Sequence, residues 1–338
     1  MIKRTVLQAG RTLGLFAAAQ RRARGSLRIL GYHGFEMGLE RAFRPLLFID
    51  PELFRRRILR LKDMGFEILG LGDAVERLRL GTLPPNPVVI TIDDGFYGTY
   101  RYGRDLMRDL RVPMTIYVTS YYVTHENPIY GLAVQYMFWK TTATSVDLTG
   151  LGLPRTGVAA LSDALRHEIL THGEQTLGEE GRVTLARALG ERLGVSYEAL
   201  EKSRALSLMT SQEIAEMVSA GFDVQLHTHR HRLPVDSAAV TQEIIDNRRV
   251  LEPLAGKKLV HFCYPGDTWQ KAADHERPLA EAGIVSATSD APGLATRDTS
   301  LLELPRFLDS GTLDELIFDA EMTGFLPGLR TLASQLRR

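Results

Sequence analysis

The sequence predicts an α/β protein built on a parallel sheet or barrel whose strands are covered on both faces. Three observations carry that prediction. Short, nearly continuous apolar and β-branched runs recur along the 338 residues, as expected of parallel strands buried on both sides. Stretches with helical spacing lie between them, so strand and helix alternate. The composition, 44% hydrophobic and 24% charged, is that of an ordinary globular chain and excludes a disordered or low-complexity protein.

Each element has a local reason. The run Leu27–Tyr32 (LRILGY) opens the series. A helix over Pro51–Met64 follows, with Asp50 as its N-cap and Pro51 at the first helical position. Val88–Ile92 (VVITI) and Pro113–Thr119 (PMTIYVT) read as the next strands. From about 121 to 207 the alternation stops. Helical spacing at Val158–Leu170 and Val183–Leu193, without a convincing strand, reads as a helical insertion. Tyr117, Tyr121, Tyr122, Tyr130, Tyr136, Phe138 and Trp139 form an aromatic cluster at its start. That cluster is either a satellite core or a lid or stacking wall for a sugar or lipid. The alternation resumes with helix Ser211–Ala220, opened by Thr210 and Glu213 and ended by Gly221. Strand Asp223–Leu226, helix Val240–Leu251 and strands Leu259–Tyr264 and Ile284–Thr288 complete the series.

Charge separates the chain differently. Net charge is zero, so a global basic field for nucleic acid is absent. Yet residues 1–28 hold seven cations and no acid, leaving an equal negative excess in the rest. Within that tail, Ile2, Val6, Ala9, Leu13 and Phe16 recur at helical spacing. Residues 1–26 are therefore expected as a basic amphipathic segment, either lying on anionic lipid or packed across the body. No apolar stretch is long enough to span a membrane, and the start matches a signal peptide poorly. The expectation is a cytoplasmic protein, peripheral to the inner face of the membrane if the tail meets lipid. The single cysteine, Cys263, lies in an apolar strand and is expected as a small hydrophobe.

In such folds chemistry gathers at the C-terminal ends of strands. Asp93-Asp94-Gly95 follows the run VVITI, and His227-Thr228-His229-Arg230-His231 follows VQL. Paired acids suit a site where one carboxylate holds a metal and the other moves a proton. An H-x-x-x-H spacing brings two imidazoles to one ion. One aspartate with two histidines leaves coordination positions open, as a catalytic site requires. A non-haem iron oxygenase uses the same donor set, but the alternation of strand and helix argues against it.

Asp93-Asp94-Gly95 resembles the first motif of NodB-type polysaccharide deacetylases, carbohydrate esterase family four. His227–His231 resembles that family's H-[ST]-x-x-H motif, and Phe262-Cys263-Tyr264-Pro265-Gly266 its third motif in an F-x-Y-P variant. Tyr32-His33 is similar to the family's opening, and Leu304-Pro305-Arg306 to its later arginine-bearing strand. The resemblance implies a distorted, incomplete (β/α) barrel over residues 27–338, interrupted by the helical insertion at about 121–207. It also implies removal of acetyl groups from an N-acetylated saccharide, in exopolysaccharide or surface-glycan biosynthesis. Asp94, His227 and His231 would hold a divalent metal, zinc first among zinc, cobalt, nickel and iron. Asp93 would be the general base and Arg306 would orient it. Tyr264 and Pro265 would contact substrate, the Tyr264 backbone N–H facing the oxyanion, and Thr228 would brace the histidine loop.

There are departures from the family pattern. No histidine follows Arg306, so the leaving amine needs another proton donor, for which His33 and His229 are the candidates. A tryptophan-bearing fourth motif is not evident, and Trp269 sits too early. The competing reading is a saccharide-binding protein that keeps the metal site without turnover. The missing late histidine favours it, and Asp93 opposes it. A lipid-linked saccharide would tie together the tail, the aromatic segment and the deacetylase motifs.

Overall fold

The computed structural model describes residues 4–335. Its main sheet has eight parallel strands: β1 (Arg28–Tyr32), β2 (Glu67–Leu69), β3 (Pro87–Ile92), β4 (Thr115–Val118), β5 (Asp223–Leu226), β6 (His261–Cys263), β7 (Ser286–Thr288) and β8 (Phe307–Leu308). Their spatial order is β7-β6-β5-β4-β3-β1-β8, with β2 against the start of β3. The sheet curls until residues just before β8 reach the open edge of β7. There Leu304 N–H donates to Ala287 O at 2.8 Å and Ser289 N–H to Leu304 O at 2.9 Å. The fold is thus a distorted (β/α) barrel, a curled parallel sheet wrapped by helices.

Strand parity sorts the residues. Val88, Ile90 and Ile92 face outward with Ile116, Val118, Val224 and Leu226, into the core beneath the surrounding helices. Ile29, Val89, Tyr117 and Cys263 face inward, where helix Leu71–Leu80 packs Leu71, Ala74, Val75 and Leu78 against them. Continuing the inward parity one step past each strand gives His33, Asp93, Thr119 and His227. The barrel's upper interior is therefore polar because of register alone.

Helix starts follow local chemistry. Asp50 caps Pro51–Asp63 by accepting from Leu53 N–H at 2.7 Å. Thr210 and Glu213 form a reciprocal capping box on Ser211–Ser219. Strands β2 and β8, three and two residues long, are not among the apolar runs expected as strands.

Residues 121–207 add no strand to the main sheet. Helices Tyr130–Lys140, Asp163–Thr176, Glu179–Leu193 and Tyr197–Ser203 enclose a second core around Val134, Met137, Ile169 and Leu189. One expectation fails here. Val158–Ala160 is a strand paired antiparallel with Ser145–Asp147, and the helix starts only at Asp163. The cause is Ser162, whose hydroxyl accepts from Leu165 N–H at 3.1 Å and caps the helix five residues later than helical spacing suggests. The aromatic cluster divides: Tyr130 is buried in the second core, whereas Trp139 is 44% exposed.

The N-terminal stripe is also corrected. Ile2 and Lys3 lie outside the described residues. Helix Arg4–Thr12 buries Leu7 and Gly10, while Val6 and Leu13 face solvent. Phe16 is buried against Phe325 at 5.0 Å, but from a second helix, Leu15–Arg22. Gly14, at φ 73°, breaks the helix between them and shifts the phase, so no single stripe forms. Among the described residues no helix is long and apolar enough to cross a membrane.

Candidate active site

A cavity of ≈ 340 Å³ opens at the C-terminal ends of the strands. His33, Asp93, Asp94, His227, His231 and Asp290 line its floor and sides, and Tyr121, Tyr122, Leu132 and Gln135 of the helical segment form one wall.

Asp93 ends the inward row of β3, and the chain then turns sharply. Asp94 has φ 66° and Gly95 φ 87°, with Gly95 N–H donating to Asp93 O at 2.8 Å. This left-handed turn, tolerated by aspartate and glycine, brings two consecutive carboxylates into one cavity. Arg306 clamps the first. Its Nη1 and Nη2 donate to Asp93 Oδ1 and Oδ2, each at 2.7 Å. The same guanidinium reaches Asp290 Oδ1 at 2.6 Å, Thr91 Oγ1 at 3.2 Å and Ser289 O at 3.2 Å. Every donor position of the fork is engaged, which holds it rigid. Burial pushes the Asp93 carboxyl up, but the charge and hydrogen bonds of Arg306 outweigh it and leave it below its ordinary value. Asp93 is therefore an ionised carboxylate held in place.

The histidine loop is held from behind. Thr228 and His231 adopt φ 62° and 54°, a conformation that a β-branched threonine rarely takes. Helix Ser237–Ala255 supplies the restraint. Glu243 accepts from His229 N–H at 3.1 Å, Arg230 N–H at 2.9 Å and Arg230 Nη1 at 2.7 Å. Asn247 Oδ1 accepts from His227 N–H at 3.0 Å, and its Nδ2 donates to Val118 O and Ser120 Oγ. Thr228 Oγ1 accepts from Arg232 N–H at 3.2 Å and closes the loop on itself.

Asp94 Oδ1, His227 Nε2 and His231 Nε2 converge, the two nitrogens 3.3 and 3.1 Å from the oxygen. Their chemistry fits a cation. His227 Nδ1 faces Cys263 O at 2.9 Å, which makes Nδ1 the protonated nitrogen of the neutral ring. A bare Nε2 lone pair then points at a carboxylate oxygen that is buried and takes no hydrogen bond. Two lone pairs in contact repel unless a positive centre, a ring proton or a bound cation, lies between them. The three ligand atoms lie within 4.8 Å of one another, a donor set of two imidazoles and one carboxylate suited to a divalent metal. Burial pushes the His227 ring down, but Asp94 and Asp93 pull it above its ordinary value.

Asp93, His227 and Cys263 form a second close trio. It suits a metal less. Both Asp93 oxygens are already committed to Arg306, and burial pushes the Cys263 thiol well up, so it stays protonated. Its Sγ lies 3.7 Å from Asp93 Oδ2 as a weak donor.

Other expected site residues lie as follows. His33 lines the cavity near both carboxylates. His229 does not; its Nδ1 meets Ser120 Oγ at 2.9 Å behind the loop. The Tyr264 N–H is not available to an oxyanion, because it donates to Thr288 O at 3.0 Å as part of the sheet. Pro265 has no N–H and stands outside the lining, so the next lining amide is that of Gly266. Asp290, Glu243 and Asn247 were not singled out from sequence. Asp290 directly follows the apolar run of β7 and Ser289, so the strand-end rule alone points to it. Nothing local marks the other two.

The deacetylase PplD of Streptococcus pyogenes, solved in complex with acetate, superposes with a TM-score of 0.54 at 17% identity. The match covers 87% of this chain and 96% of that one. IcaB from Ammonifex degensii superposes with a TM-score of 0.53 at 16% identity, covering 88% of this chain and 97% of that one. A de-N-acetylase from Aggregatibacter actinomycetemcomitans gives 0.53 at 13%, covering 87% and 99%. At these identities the likeness is one of fold. No curated protein sequence matches. The family model for polysaccharide deacetylase matches residues 81–284, more than half of the chain and both halves of the site. The chain belongs to the polysaccharide deacetylase family.

Proposed function

We propose that the protein is a metal-dependent hydrolase that removes acetyl groups from an N-acetylated saccharide during exopolysaccharide or surface-glycan biosynthesis. The observation that carries this reading is the meeting, in one cavity, of an arginine-clamped carboxylate with the Asp94/His227/His231 donor trio. A binding protein has no use for a buried base held ionised beside such a trio.

Asp94, His227 and His231 would hold the divalent ion, zinc being the first choice for this donor set. When bound, the ion supplies Lewis acidity, polarising the acetyl carbonyl and acidifying water. Asp93 accepts the proton of the attacking water, and Arg306 keeps it aimed and ionised until then. The Gly266 N–H stabilises the developing oxyanion in place of the Tyr264 N–H. His33 delivers a proton to the leaving nitrogen, so acetate and a free amino sugar depart. Tyr121, Tyr122 and Leu132 exclude water from the wall facing the saccharide.

Acetate release from N-acetylglucosamine oligomers tests the reading. Turnover is expected to vanish on chelation and return with zinc. Turnover that survives full chelation would overturn metal dependence. Silence across several oligomers with zinc, cobalt and nickel would overturn the substrate class.

A further inference from the structure

The two N-terminal helices spend only one face each on the body of the protein. Helix Arg4–Thr12 buries Leu7 and Gly10, and helix Leu15–Arg22 buries Phe16. On the second helix Leu15, Ala18 and Arg22 fall on one line and Ala17 and Arg21 on the next, and all five are exposed. Leu13, 73% exposed, and Leu15, 45%, flank the left-handed Gly14, so the corner between the helices carries two leucines. Beside it runs helix Phe325–Gln335, whose Phe325 packs on Phe16 and whose Leu332 is 57% exposed. Single exposed leucines are ordinary, and the charges around these decide what they are for.

Arg4 is spent on Asp314 at 3.1 Å, and Arg11 lies 3.8 Å from Asp319. Arg28 is buried and donates to Met322 O at 2.7 Å. Arg21, Arg22 and Arg24 are different: all three are exposed, with no carboxylate partner among the described residues. A groove of ≈ 690 Å³ lies between helices Leu15–Arg22 and Phe325–Gln335, and no acid lines it. Its Arg330 is paired with Glu321 at 2.6 Å, which leaves Arg22 as the free cation there. Neither residues 1–28 nor helix Phe325–Gln335 contain an acid. The outward face is therefore leucine, alanine and arginine without a carboxylate, the composition of helices that lie on anionic lipid.

The seat of this face fixes its direction. Gln20 Nε2 donates to Met64 O at 3.0 Å, and Gly25 N–H to Pro85 O at 2.9 Å. Met64 and Pro85 lie just before β2 and β3, where strands begin, whereas the active-site cavity lies where they end.

We propose that this face docks the protein on an anionic lipid bilayer. The leucine corner enters the interface, and Arg21, Arg22 and Arg24 meet the head groups. The active-site cavity is then held away from the bilayer, open to the aqueous side. The proposal draws nothing from the deacetylase reading and stands or falls apart from it.

Co-sedimentation of the full-length protein with vesicles of phosphatidylglycerol and phosphatidylcholine, against phosphatidylcholine alone, is the test. Wild type is expected to partition at least about tenfold better onto the anionic vesicles and to lose that preference in high salt. Arg22→Glu is expected to weaken binding by about fivefold or more, the worth of one cation at such a surface. Arg101→Glu, at an exposed arginine of helix Tyr97–Leu110, changes net charge equally and is expected to leave binding nearly unchanged. Leu13→Asp with Leu15→Asp is expected to weaken binding at least about tenfold while the circular dichroism stays native.

Brominated lipid reads the orientation. Trp139, on the helix that walls the cavity, and Trp269, just after β6, are the chain's two tryptophans. Both are expected to stay unquenched, whereas the emission added by Leu13→Trp is quenched. Equal binding to the two vesicle types, or equal losses from Arg22→Glu and Arg101→Glu, would overturn the proposal. So would a wild-type dimer in size-exclusion chromatography that the paired leucine variant dissociates, because a second copy would then cover the face. Quenching of Trp139 and Trp269 as strong as that of the added tryptophan would overturn the orientation.

Discussion

The barrel and the helical segment at 121–207 contribute to the same cavity in different ways. The barrel supplies both carboxylates and both converging histidines beyond strand ends and Arg306 just before β8, with Asp93, Arg306 and His227 tied down by buried hydrogen bonds. The helical segment supplies a wall of tyrosine, leucine and glutamine side chains and none of the proton-transfer or ligand groups. Its core is built mainly from its own helices and is closed by Phe48 and Phe96 of the barrel, Phe96 directly following the Asp93-Asp94-Gly95 turn. The sheet thus places the polar groups, and the helical segment places the wall that faces them.

Four substitutions break or sharpen that contrast. The largest effect is expected from Asp93→Asn, on the barrel side. Loss of the base should cut kcat for acetate release by roughly 10²–10⁴-fold. Removing one partner of a buried pair also costs about 3–5 kcal/mol, which Asp290 offsets in part. Wild-type kcat in this variant would remove Asp93 from the proton transfer. Next is Glu243→Ala, which leaves the two backbone amides of the histidine loop unheld. Zinc affinity should fall about 10–100-fold in competition with a chromophoric chelator, while the circular dichroism stays native.

Gly173→Ala acts on the helical side. A Cβ there would lie 2.3 Å from the Tyr130 hydroxyl, which donates to Ile169 O at 2.8 Å. Overpacking of about 1–3 kcal/mol exceeds the helix-propensity gain of up to about 1 kcal/mol. The expected outcome is a raised KM with zinc affinity unchanged; a loss of zinc would show that the two regions are not separable. The smallest effect concerns His261, buried inside the barrel with Nδ1 2.8 Å from Ser286 Oγ. Burial holds its ring below the ordinary 6.5. The folded state therefore resists protonation, so its contribution is complete above pH 6.5 and is lost as pH falls below it. Urea unfolding at pH 7.5 and 5.5 should show a smaller acid loss in His261→Gln than in wild type, by a difference on the order of 1 kcal/mol. Equal losses would rule His261 out as the acid-sensitive group.

Much of the barrel was legible because its signals are local. Apolar runs mark six of the eight sheet strands, and Asp50-Pro51 and Thr210–Glu213 mark helix starts within single turns. Asp93, Asp94, His227 and His231 were legible as short clusters after such runs. The failures share a cause in pairing. Whether the Tyr264 N–H is free depends on Thr288, a strand away, and the left-handed Gly14 decides that Phe16 and Val6 do not share a face. Glu243 and Asn247 carry no motif. They matter because their helix packs behind the loop.

By itself the sequence determined the α/β alternation, the family and the residue types available for catalysis, because periodicity, capping and short motifs act over a few residues. Only the tertiary structure decided which donors are already spent and which histidine reaches the cavity. Those are properties of register and packing between residues far apart in the chain, where no local pattern records the partner.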